Sequence, residues 1–334
     1  MSYLDFYGLE QEPFSNAPVS RFYFNSNQHA EAIVRLERVA RQMKGLAVLV
    51  GDIGTGKTTL ARRLLDNLPE SEFEAALLVI IHSGITADWL LRRIAQQLGI
   101  RKPGDDKLQL LSQLYRRLLQ IADAGKKAVV LIDEAQMLQT EDLMEEFRGL
   151  LNLEIPDQKL ITFIFFGLPE IEDYLKLDPP LLQRVALKYH LDAFDAPSCR
   201  DYIAHRMRLA GAQRQIFLPT AAEAIHRYSR GIPRLINTIA DNALFEGFIL
   251  KATTIGPEIV ENISIDLGLT ITKMKDPRQI DSFEIEPGQA QEESLPHIFG
   301  ESPEENTAEH TFERSEADRT DDIDSILAGL EEKV

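Results

Sequence analysis

Strand-length apolar runs recur along the first part of the chain. They are Leu46–Val50, Ala75–His82, Ala128–Ile132, Leu160–Phe166 and Ala186–Leu191. Between them, apolar residues return at helical spacing. In Gln28–Met43 they are Ala32, Ile33, Leu36, Val39, Ala40 and Met43, and Asp88–Leu98 and Leu108–Ala122 read the same way, with Gly125 stopping the latter. Met137–Leu153 is predicted mostly helical, Pro156 and Asp157 mark a turn, and Pro169–Leu175 is a short helix. Strands alternating with helices argue for an α/β fold, a three-layer αβα domain whose parallel sheet carries helices on both faces.

From Pro197 onward the strands cease. Ser198–Leu209, Thr220–Ser229 and Pro233–Leu250 are predicted helices, and Gly256-Pro257 opens a last one reaching Leu267. Pro233 suits the first turn of its helix. Residues 1–27 carry Phe6, Tyr7, Phe14, Phe22, Tyr23 and Phe24, more aromatics than a disordered tail holds, and are expected to pack as an ordered extension. The expected division is thus 1–27, an α/β core over 28–195, an all-helical lid over 196–268, and a tail over 269–334. The tail is acidic, rich in Pro, Ser and Glu, and expected to be disordered. One island, Ile323, Ile326, Leu327 and Leu330, has helical spacing. It predicts a short amphipathic helix over 322–331 that either docks in a partner's groove or is a weak helix on an inert tail.

Charge follows the same division. The chain of 334 residues carries −17, and residues 279–334 hold 17 acidic and 3 basic side chains, about −14 of that total. The nearly neutral remainder lacks the basic footprint of a nucleic-acid binder. The lone Cys199 excludes an intrachain disulfide and reads as a plain helix residue. No run approaches the roughly 18 apolar residues of a membrane span, and the first residues do not resemble a signal peptide. The expected location is the cytoplasm, either free or peripheral at the inner membrane.

Two motifs carry chemistry. Gly51-Asp52-Ile53-Gly54-Thr55-Gly56-Lys57-Thr58 completes G-x-x-x-x-G-K-[ST] between a predicted strand and the helix-like Thr59–Leu65. Its glycines let the backbone wrap phosphates, and its N–H groups and the helix start face negative charge. Residues Gly51 to Thr59 are therefore the candidate binding segment for ATP, with Lys57 reaching the β- and γ-phosphates and the Thr58 hydroxyl on Mg²⁺. The second motif, Val129-Val130-Leu131-Ile132-Asp133-Glu134, ends a strand in two carboxylates. Asp133 is the second candidate Mg²⁺ ligand, and Glu134 would orient and polarise the attacking water.

Together with the helical lid, these motifs resemble the AAA+ class. A longer series sharpens the likeness: Tyr3-Leu4-Asp5-Phe6-Tyr7-Gly8-Leu9, Pro13-Phe14, His29-Ala30-Glu31-Ala32, Leu150-Leu151-Asn152-Leu153-Glu154, Gly167-Leu168-Pro169-Glu170, and His226 to Asn237 containing Gly231-Ile232-Pro233-Arg234. Over residues 1–268 the chain resembles the general secretion pathway protein A (ExeA-type) ATPases, relatives of the transposition-helper ATPases. The resemblance implies a sensor-2 role for Arg234, which would reach the γ-phosphate from the lid. It implies a trans-acting arginine finger at Arg184, with Arg148 as competitor. It also puts Leu168 where the family usually has a polar residue that positions water. Slow hydrolysis is expected, or another group substitutes. Many relatives continue into a membrane span and a peptidoglycan-binding domain, whereas this chain is expected to end in its acidic tail. The cell-wall role is therefore not expected to carry over.

The leading expectation is a homo-oligomeric ATPase serving a bacterial envelope system (secretion, pilus or polysaccharide export), with the tail recruiting a protein partner that could itself be membrane-bound. The alternatives are a DNA-associated ATPase of the transposition-helper type, for which DNA is the partner, and a nucleotide-dependent scaffold with little turnover.

Overall fold

The computed structural model describes residues 2–16, 20–156 and 158–269. The acidic segment and the amphipathic island at 322–331 lie outside the described residues. The chain enters through the short helix α1 (Tyr3–Tyr7), capped by Ser2, and a 3-10 turn at Ser20–Phe22. The elements α2 (Asn27–Arg41), β1 (Leu46–Val50), α3 (Lys57–Asn67), β2 (Phe73–Val79), α4 (Ala87–Gln97), α5 (Lys107–Asp123) and β3 (Lys127–Asp133) follow. Then come α6 (Glu141–Leu151), the two-residue strands β4 (Glu154–Ile155) and β5 (Gln158–Lys159), β6 (Ile161–Gly167), α7 (Ile171–Leu175), α8 (Pro179–Leu182) and β7 (Val185–His190). Four helices complete the described chain: α9 (Ala196–Leu209), α10 (Pro219–Ser229), α11 (Pro233–Ile249) and α12 (Pro257–Asp266).

Five strands form one sheet in the order β2-β3-β6-β1-β7, and every neighbouring pair is parallel. Both faces are covered over the central strands β1, β3 and β6, which is why these read as unbroken apolar runs, whereas the edge strand β7 alternates half-buried and exposed positions. Leu46, Val48, Val130, Ile132, Phe163 and Phe165 face α4, α5 and α6 in one core. Ala47, Leu49, Val129, Leu131, Ile164 and Phe166 pack with α2 and α3 in the other. A third core gathers α9 to α12 with Tyr7, Leu9 and Phe14 from the N-terminal segment, so those early aromatics are buried among the later helices.

Three local differences from the sequence reading have simple causes. Helix α6 starts at Glu141 rather than Met137. Thr140 caps it by accepting the Leu143 N–H, and Ala135–Met137 forms a separate 3-10 turn after Glu134, whose φ of 56° is left-handed. The turn around Pro156 is the end of the β4–β5 hairpin. Strand β2 stops at Val79, short of the predicted His82.

Candidate functional site

All five strands point the same way, so the loops that follow them meet at one edge of the sheet. In open parallel sheets this edge holds ligands. The loop after β1 and the carboxylates at the end of β3 lie there, separated by β6, whose Gly167-Leu168 end falls between them. A cavity of about 490 Å³ occupies this edge, lined by the loop, Glu134, Gln136, Leu168, the N-terminal segment and the start of α11.

The loop itself is tightly folded. Gly54 and Gly56 have φ of 83° and 103°, a region that glycine enters without strain. Buried Thr55 ties back through its hydroxyl to the Asp52 carbonyl at 2.9 Å. Lys57 Nζ donates to the carbonyls of Gly51 (2.8 Å) and Asp52 (2.9 Å), which fixes the ammonium over the loop. Burial lowers the Lys57 pKa, while the facing carboxylates of Glu134, Asp133, Asp52 and Glu170 oppose that shift and favour the charged form. Thr58 and Thr59 line the cavity with Lys57. Ile53 is 66% exposed, so its contribution to the loop is backbone.

Asp133 is buried. Its Oδ1 accepts the Glu134 N–H at 3.0 Å, and its buried Oδ2 has no hydrogen-bond partner among the described residues. Burial raises the Asp133 pKa, opposed by the Thr58 side chain and the Glu134 N–H. An orphaned carboxylate oxygen beside a threonine hydroxyl is a hard oxygen donor pair of the kind Mg²⁺ takes when phosphates supply the rest of its shell. No cluster of three His, Cys, Asp or Glu side chains exists among the described residues.

Arg234 opens α11 beside the loop. Its N–H donates to the Gly54 carbonyl at 3.3 Å, and a Cβ on Gly54 would lie 2.9 Å from Arg234 Cβ. Arg184 is elsewhere. It immediately precedes β7, whose Val185 is level with Leu46 at the start of β1, so it sits at the opposite end of the strands from its own phosphate loop. Its guanidinium makes one long hydrogen bond among the described residues, 3.5 Å, to the Arg148 carbonyl. Arg148 is engaged by buried Asp178 (2.8 Å) and by Glu145 (3.0 Å).

Several cavity residues carried no assigned role in the sequence reading. Buried Arg206 donates to the carbonyls of Pro13 (2.6 Å) and Ser15 (2.9 Å), to Tyr202 Oη (2.7 Å) and to Asn237 Oδ1 (3.2 Å), pinning the N-terminal segment to the later helices. Asn237 continues to Asn16 at 3.0 Å. Buried His29 bonds Ser26 Oγ at 2.7 Å and packs against Phe194, and its Nε2 would lie 3.5 Å from a Cβ on Gly56. The only local hint of these contacts is a polar residue inside an otherwise apolar helical pattern.

Burial holds His29 at a pKa of about 4, below its ordinary 6.5. The unfolded chain therefore binds this proton first, and stability falls as pH drops from about 6.5 to about 4. The expected loss from this one side chain is on the order of 3 kcal/mol. Urea unfolding across that window should be steeper in pH for the wild type than for His29→Gln. Equal slopes would remove His29 as the cause.

Residues 40–175 match the AAA domain family. Among solved structures, the chain resembles the ORC2 protein of Aeropyrum pernix (TM-score 0.59, 18% identity, covering 77% of this chain and 72% of that one). It also resembles Cdc6p of Pyrobaculum aerophilum (TM-score 0.59, 19% identity, 76% and 70% covered). With the parallel sheet and the phosphate loop, these likenesses place the fold: it is that of the AAA+ class of P-loop proteins. Within that class it is related to the general secretion pathway protein A of Aeromonas hydrophila, with 38% identity over 249 residues. That match covers 74% of this chain and 45% of the relative, so the chain spans somewhat under half the length of the curated protein it matches. No helix among the described residues is long and apolar enough to cross a membrane.

Proposed function

We propose that the chain binds and hydrolyses ATP with Mg²⁺ as a homo-oligomer, and that it acts as an assembly or regulatory ATPase for a bacterial envelope system. The observation that carries the ATPase reading is the convergence of Lys57, Glu134 and Arg234 on one cavity, with the orphaned Asp133 oxygen at the adjoining strand end. Loop N–H groups and Lys57 would hold the phosphates, and Thr58 and Asp133 would hold the metal. When bound, Mg²⁺ supplies charge stabilisation on the phosphoryl oxygens. Glu134 takes up the proton of the attacking water, and Arg234 carries positive charge from α11 to the γ-phosphate side. The named relative supports placement in a secretion system, and the acidic segment 279–334 is the element that would recruit a partner.

The oligomer reading rests on Arg184. It lies away from its own site and has no ion pair among the described residues, whereas Arg148 is already held by two carboxylates. A guanidinium so placed can complete a neighbour's site. Arg184→Ala is expected to keep ATP affinity and lose turnover about 100-fold or more. Mixing it with Lys57→Ala, which keeps the arginine, should restore part of the rate. Undiminished turnover by Arg184→Ala alone, or no recovery on mixing, would reject the shared site.

A further inference from the structure

Gln136 joins the ends of β3 and β6 inside the cavity. It is 7% exposed and sits in the 3-10 turn that follows the two carboxylates. Both ends of its amide are used. Nε2 donates to Glu134 Oε2 at 2.6 Å, and Oε1 accepts the Leu168 N–H at 3.1 Å. The neighbouring backbone is shaped for this contact, since a Cβ on Gly167 would lie 3.1 Å from Gln136 Oε1 and 3.2 Å from Gln136 N. Leu168 lines the same corner with a side chain that has no polar atom. Glu134 itself stands at a left-handed φ of 56°, a strained conformation for a non-glycine residue that persists where the surroundings impose it.

We infer that Gln136 is a positioning residue for Glu134 and takes the part that a polar side chain at position 168 would otherwise play. The inference rests on the ATPase reading above. The amide occupies Glu134 Oε2 and turns the carboxylate so that Oε1, which takes no hydrogen bond among the described residues, is left for water. In the step it serves, the water oxygen bonds to the γ-phosphorus and the bond from that phosphorus to the β–γ bridging oxygen breaks. The bond electrons leave with ADP, and the water proton passes to Glu134. Gln136 exchanges no proton. Its contribution is the direction in which Glu134 points, so it acts only through Glu134.

The test uses the full-length protein, single-turnover hydrolysis of γ-labelled ATP at excess protein and millimolar Mg²⁺, and titration with a fluorescent ATP analogue. Gln136→Leu keeps the side chain's bulk and removes both bonds. It is expected to leave analogue affinity within about twofold and to lower the single-turnover rate roughly tenfold. In a Glu134→Gln background the same change is expected to do nothing further, because the group it positions is gone. Partial recovery of rate in Gln136→Leu/Leu168→Gln, which returns an amide to that corner, would further support the assignment. An unchanged or faster rate for Gln136→Leu overturns it, as does a further loss in the Glu134→Gln background. Parallel loss of affinity, rate and melting temperature also overturns it, since that marks a support for the fold alone. A wild-type rate no faster than that of Lys57→Ala removes the ATPase reading itself and this inference with it.

Discussion

Lys57→Ala is expected to weaken ATP binding at least 100-fold, about 3 kcal/mol, in a fluorescent-nucleotide titration at millimolar Mg²⁺. Glu134→Gln is expected to bind within a few fold of wild type and to turn over about 100 to 1,000 times more slowly. The contrast follows from where the two side chains stand. Lys57 is a buried ammonium held by two loop carbonyls and faced by four carboxylates, so its charge is kept beside the place where phosphate charge arrives. Its removal takes away attraction in both the ground and transition states. Glu134 faces the same space from the end of β3, and among the described residues its side chain bonds only Gln136. In the proposed mechanism it has no part in gripping phosphate and acts on the water. If the two substitutions weakened binding equally, the division of labour between loop and strand end would be wrong. If neither touched binding, the cavity would not be a nucleotide site.

The second large effect is expected from Gly231→Ala. Gly231 has φ of 74°, its carbonyl accepts the Phe194 N–H at 2.9 Å, and a Cβ there would lie 1.9 Å from the Phe194 carbonyl oxygen. No rotamer change relieves that contact, because both partners are backbone. The two segments must separate, which breaks the Phe194 bond and shifts Pro233 and Arg234 away from Gly54. A loss of roughly 3–5 kcal/mol is expected, seen as a melting temperature lower by about 10 °C, together with weaker ATP binding. Gly125→Ala is the matched control. Gly125 also has positive φ, 71°, but a Cβ there meets nothing within 4 Å, so only backbone strain of about 1 kcal/mol is expected. Equal melting temperatures for the two variants would show that the close approach at Phe194 does not matter.

The contrast between these residues also explains what could be read from the chain alone. The central strands were legible because each is buried on both faces and therefore written as a continuous apolar run, Leu46–Val50 most plainly. The phosphate loop and Asp133-Glu134 were legible because each is a local pattern with a fixed place at a strand end. The insertion of β6 between β1 and β3 was not, since strand pairing joins residues more than 100 positions apart, as Leu46 with Phe163. Helix α8, four residues around Pro179-Pro180, is too short for periodicity to show. The β4–β5 hairpin has two residues per strand and betrayed only its turn. Gln136 carries no signal of its own and Arg206 only that of a polar residue among apolar ones, because what they do depends on Leu168 and on Pro13 and Ser15, partners that only the folded chain brings close.

The 3.3 Å bond from the Arg234 N–H to the Gly54 carbonyl has a thermodynamic corollary. It hooks the first turn of α11 onto the loop proposed to grip phosphate, so any influence that pries α11 outward would alter that grip. Linkage then demands reciprocity: nucleotide must resist such prying by the same factor by which prying weakens nucleotide. A macromolecule that grasps only the outer surface of this helical layer could thereby set how long ATP stays, without ever approaching a phosphate.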